Sequence, residues 1–108
     1  MLTLAVFSRP KANLYGLLIE KERDLRENNR GTLHRRGKRK AAEEKWVHNS
    51  YPGWISFRKS LGGVVVALIR SRTDQGEWQL LKSFIGFLFR HFRTEIESVN
   101  IGFANEEE

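Results

Sequence analysis

An α+β domain, with a small mixed or antiparallel sheet and a long apolar helix packed on it, is the fold expected from three features of the chain. Residues 54–58 alternate apolar and polar side chains, the period of two that a half-buried strand needs. Residues 64–69 form an unbroken apolar and largely β-branched run, which suits a central strand. Residues 77–93 instead place their apolar side chains at helical spacing. With 108 residues, 40% of them hydrophobic, and three Trp and seven Phe, the chain can bury the core of a single domain spanning 1–108.

In chain order, residues 2–8 put Leu2, Leu4 and Val6 on one side and read as a short strand, ended by Arg9-Pro10. In residues 11–29, Leu14, Leu17, Leu18 and Leu25 share one helical face, while Glu20, Glu22, Arg23 and Arg26 suit a wet one. An additional N-terminal helix is therefore expected, the rival being a strand with Gly16 at a bulge. Asn28-Asn29-Arg30-Gly31 is a stop signal. Residues 30–45, RGTLHRRGKRKAAEEK, hold seven of the chain's 19 Lys and Arg. Residues 31–37 read as a loop, and Ala41, Ala42, Glu43, Glu44 and Lys45 favour at most a short, marginal helix over 38–47. The region of about 30–50 is thus expected to be a basic flexible arm or loop, with a turn cluster from His48 through Pro52-Gly53.

Residues 54–60 and 64–71 form a hairpin through Gly62-Gly63, with Ile55, Phe57 and Leu61 facing inward. Asp74 followed by Glu77 resembles a capping box for the next helix. That helix carries two adjoining apolar faces. One is Trp78, Leu81, Ile85, Leu88, Phe89 and Phe92; the other is Leu80, Phe84 and Phe87. So wide an apolar arc implies burial on two sides, against the sheet and against either the N-terminal helix or a second subunit. Val99, Ile101 and Phe103 alternate inward on a last strand at 98–103, which gives β-β-α-β order in the C-terminal half. This strand is expected beside one of the hairpin strands, and the acidic tail at 104–108 is expected to fray.

The net charge of +6 is concentrated in residues 30–45, where seven basic residues oppose two acidic ones. Such a field steers toward a polyanion. The chain has no cysteine, which removes disulfide scaffolds and thiolate metal sites, and its three scattered histidines suit zinc poorly. No metal and no small-molecule cofactor are expected, and a cytoplasmic setting follows. No stretch resembles a signal peptide or membrane span, so no membrane partner is indicated. GxGxxG, P-loop and HExxH motifs are missing, and Gly62-Gly63 precedes a strand and cannot serve as a phosphate cradle.

The leading expectation is non-catalytic binding of nucleic acid, RNA before DNA. Arg35, Arg36, Lys38, Arg39 and Lys40 could each meet a phosphate. Trp54, Arg58, Arg70 and Arg72 could offer stacking and charge on an open sheet surface, unless Trp54 packs under the N-terminal helix. A strip of Lys82, Arg90 and Arg93, with Ser83 and Gly86 between, allows close approach by another helix or a ligand, helix packing being the simpler cause. The first alternative function is a small homodimeric interaction module using Leu80, Phe84 and Phe87 as its interface. The second is a metal-independent ribonuclease, with His48 and Glu44 as the candidate acid–base pair.

Overall fold

The computed structural model describes residues 1–38 and 42–104. Strand β1 (Leu2–Ser8) and helix α1 (Leu14–Glu27) come first. Four strands follow in succession, β2 (Leu33–Arg35), β3 (Glu43–His48), β4 (Trp54–Lys59) and β5 (Val65–Arg70), then helix α2 (Asp74–Phe92) and strand β6 (Ile96–Phe103). All join one six-stranded sheet in the order β2-β3-β4-β5-β1-β6, with every neighbouring pair antiparallel. Four consecutive strands thus form a meander, and β1 inserts between β5 and β6.

Local chemistry sets the boundaries. The Asn13 side chain accepts the Gly16 amide at 3.3 Å and starts α1. At its end Asn29 turns left-handed, at φ 55°, and the Arg30 amide donates to the Leu25 carbonyl at 2.7 Å. The β4–β5 connection turns on Gly62 and Gly63, at φ 70° and 78°, which a Cβ would strain. The cap of α2 is Thr73, whose hydroxyl accepts the Gly76 amide at 2.9 Å. The capping residue is therefore one position earlier than expected, and Asp74 and Glu77 lie in the first turn, where the helix dipole favours acids.

Both helices pack on one face of the sheet. Alternate strand residues, Leu4, Val6, Val65, Ala67, Ile69, Ile55, Phe57 and Trp46, form one buried cluster with Leu14 and Leu18 of α1 and Leu80, Phe84, Phe87 and Leu88 of α2. Trp46 lies at the centre, its ring edge-on to Phe57 (4.9 Å), Phe87 (5.1 Å) and Phe84 (6.1 Å). Two buried carboxylates find partners nearby. Glu22 lies 3.1 Å from Arg26 Nε and 3.7 Å from His34 Nδ1, and Glu44 accepts the Trp46 indole N–H at 3.4 Å. The opposite face of the sheet carries no helix among the described residues.

Several expectations are corrected. The described part of the basic block is a β2–β3 hairpin where a flexible arm or helix was expected, because Trp46 and Glu44 have core partners that override local helix preference. Residues Arg39 and Lys40, and the tail from Asn105, lie outside the described residues. Leu61 is 92% exposed at the hairpin turn and does not face inward. Strand β6 pairs with β1 and with neither hairpin strand. Its Phe103, though on the helix side of the sheet, is 80% exposed. No helix among the described residues is long and apolar enough to cross a membrane.

Candidate nucleic-acid interface

The helix-free face is built by the same alternation that fills the core. With Ile55 and Phe57 turned to the helices, Trp54, Ser56 and Arg58 project the other way. Cross-strand register sets their neighbours: Arg70 lies opposite Trp54, Leu68 opposite Ser56, and Val66 opposite Arg58. On the other side Lys45 pairs with Ser56 and Glu43 with Arg58. Thr3 and Ala5 of β1 continue the surface beyond Leu68 and Val66. The result is a floor of small and apolar side chains with an indole at one end and cations distributed along it.

Trp54 is 38% exposed, and the Lys45 ammonium sits 4.6 Å from its ring centroid. The N-terminal helix therefore does not cover this indole. An exposed cation–π contact is worth about 0.5–1 kcal/mol, whereas a base stacked on an aromatic is worth about 1–3 kcal/mol. A base can thus displace the lysine, leaving its ammonium free to meet the adjoining phosphate. Lys45 was not singled out in the sequence. Its helix-forming neighbours hid its place on a strand beside Trp54.

The remaining predicted residues divide between this face and elsewhere. Arg58 shares the face with Trp54 and Arg70, but Glu43 opposite it reduces the local positive potential. Arg72 is exposed in the turn before α2, outside the strand itself. Arg35 pairs with Trp46 and is half-buried on the helix side, so it does not join Trp54. Arg36 and Lys38 are exposed where the β2–β3 hairpin begins its tip, at the Arg58 end of the sheet, with the Arg36 amide bonded to the Lys45 carbonyl at 2.8 Å.

His48 and Glu44 are not brought together. Four positions apart on one strand, they are separated by about 13 Å of strand rise. The Nδ1 of His48 accepts the Ser50 amide at 2.9 Å, and its ring lies against Tyr51 at 4.4 Å. Burial first, and then the positive charge of His34, lower its pKa below the ordinary value of 6.5. Glu44 is buried, and its carboxylate accepts the Trp46 indole N–H. Leu80, Phe84 and Phe87, the expected dimer interface, are fully or almost fully buried within the chain's own core. The exposed apolar residues of α2 are instead Trp78 and Phe89, with Ile85 partly buried against the core. Lys82, Ser83, Gly86 and Arg90 line a recess on the helix side, away from the open face. Comparison with protein-family models, with curated proteins and with solved structures finds no match to this chain.

Proposed function

We propose that the chain binds single-stranded RNA on the open sheet face, without bond chemistry, and that the basic β2–β3 tip holds phosphates beside it. One observation carries this reading: Trp54, Lys45, Arg70 and Arg58 lie together on a sheet face that no helix among the described residues covers. An exposed indole takes a base only when that base is unpaired, which favours a single strand over a duplex. The test is fluorescence anisotropy of an unstructured uridine oligomer over a salt series. Affinity should fall steeply with salt, as counterion release requires. Trp54→Ala should cost about 1–3 kcal/mol of binding. Binding that ignores salt, or Trp54→Ala with native affinity, would sink the proposal.

A second reading, a homodimer, is favoured by the flank formed by α2 and β6. Trp78, Phe89, Ile101 and Phe103 are all exposed there. The strand carries no charged residue from Ser98 to Phe103, whereas the opposite edge, β2, is short and bears His34 and Arg35. An unguarded edge at only one side of the sheet suits symmetric pairing of β6 with a second β6. Light scattering should then give twice the chain mass, and Phe89→Asp should give monomers. A monomeric wild-type chain at high concentration would contradict it.

A further inference from the structure

On the helix side of the sheet, where α2 passes the end of α1, lies a recess of about 260 Å³. One wall is Lys82, Ser83, Gly86 and Arg90 of α2; the opposite wall is Arg30, Gly31 and Thr32, just after α1. Leu25, Leu33, Phe87 and His91 complete it. No acidic residue is among the described residues that line this space. Lys82, Gly86 and Arg90 stand one turn apart on α2, which aligns them along the opening.

Gly86 shows why the recess exists. A Cβ built there would meet no atom within 4 Å except Arg90 Nη2, at 3.9 Å. The glycine therefore does not serve a close helix crossing, the simpler cause expected from the sequence. It lowers the recess wall, and the Arg90 guanidinium folds over it. Lys82 also lines the recess, and its ammonium lies 5.6 Å from the Trp78 ring centroid, from where the flexible side chain can swing to an anion. Three permanent cations border the recess with no carboxylate among its described lining residues, so the local potential favours an anion. The remaining wall is apolar, with the Phe87 and His91 rings 4.8 Å apart.

We infer that this recess is a binding site for a small phosphate monoester, of mononucleotide size or less. Arg90 and Arg30 would hold the phosphate through charge-assisted hydrogen bonds, and Lys82 would add charge at the mouth. The Leu25 and Phe87 wall would take the organic part. The site is separate from the open sheet face and independent of the RNA proposal. Its volume is too small for a strand of bases, which points to a discrete ligand or to the terminal phosphate of a chain.

The test is titration of the whole protein at low ionic strength with inorganic phosphate, a 5′-nucleoside monophosphate and the matching nucleoside, followed by NMR. Both phosphates should bind saturably, the monophosphate more tightly, and the nucleoside should not. Arg90→Ala should weaken binding by about tenfold or more. Gly86→Leu, which projects into open space, should abolish it while the fold persists. Trp54→Ala, on the other face, should change nothing. The His91 ring supplies a second readout. Burial, Lys21 of α1 and Arg90 of its own helix hold its pKa below the ordinary value. Arg30 and Lys82 also border this space, so a bound anion should raise that pKa. An oligonucleotide carrying a 5′-phosphate, compared with its unphosphorylated twin, distinguishes a chain terminus from a free ligand. No saturable shift with either phosphate, or equal binding by Gly86→Leu, would overturn the inference; so would loss of binding in Trp54→Ala.

Discussion

Replacing Gly86 by alanine should make the protein more stable. A glycine in a helix interior costs about 0.8–1 kcal/mol relative to alanine, because it retains more freedom in the unfolded chain. That gain is realised only where the new methyl group has room. At Gly86 the methyl would touch only the end of the Arg90 side chain, at 3.9 Å, an ordinary contact. The full propensity gain should therefore appear, raising the melting midpoint by about 4–8 °C per kcal/mol for a domain near this size. If Gly86 instead marked a close backbone crossing, the same methyl would overpack the contact and cost about 1–3 kcal/mol. Thermal and urea unfolding of the two proteins decides between these opposite signs. A destabilised Gly86→Ala would refute both the open recess and the packing assigned to α2.

Other outcomes follow from the same contacts. Gly53→Ala should lose about 1–3 kcal/mol or more by denaturation, since Gly53 has φ +105° and its Cβ would run into the Arg70 carbonyl. Trp46→Ala should cost about 3–5 kcal/mol, as it empties the centre of an aromatic cluster. Glu43→Gln should strengthen RNA binding by removing the acid opposite Arg58, while leaving stability nearly unchanged. Acid should weaken the fold through His48 and His91, whose folded pKa values lie below 6.5. Between the depressed folded values and 6.5 the unfolded chain binds more protons. Stability is therefore complete above that range and declines as pH falls through it, which a pH series of urea midpoints would reveal.

Much of the fold was legible wherever pattern and local chemistry agreed. The alternation at Trp54–Lys59, the β-branched run of β5 and the glycine turn between them specify a hairpin from short-range physics alone. The α1 face and its Asn28-Asn29 stop were legible for the same reason. Strand β3 was not, because Ala42, Glu43, Glu44 and Lys45 prefer helix in isolation, and only the core around Trp46 and the buried Glu44 reverses that preference. The width of the apolar arc on α2 was visible, yet angular spacing cannot say which stripe meets the sheet. Leu80, Phe84 and Phe87 went to the core and left Trp78 and Phe89 outside. The position of β6 depended on β1, a pairing between the two ends of the fold with no local signal. The candidate site was legible in part. Trp54, Arg58 and Arg70 were set on one face by strand period, whereas Lys45 joined them only through the misread strand. The recess shows the same limit: Lys82, Gly86 and Arg90 align by helical spacing, but Arg30 reaches them only through the packing of α1.

The three tryptophans occupy three different environments, which makes one spectrum decisive. Trp46 is in the core, Trp54 is on the open sheet face, and Trp78 is on the exposed flank of α2. An indole N–H NMR titration with a uridine oligomer should shift the Trp54 resonance strongly, together with backbone amides of β3, β4 and β5. The Trp46 and Trp78 resonances should stay nearly fixed. A spectrum in which Trp54 does not move, or in which Trp78 moves in its place, would contradict binding on the open face.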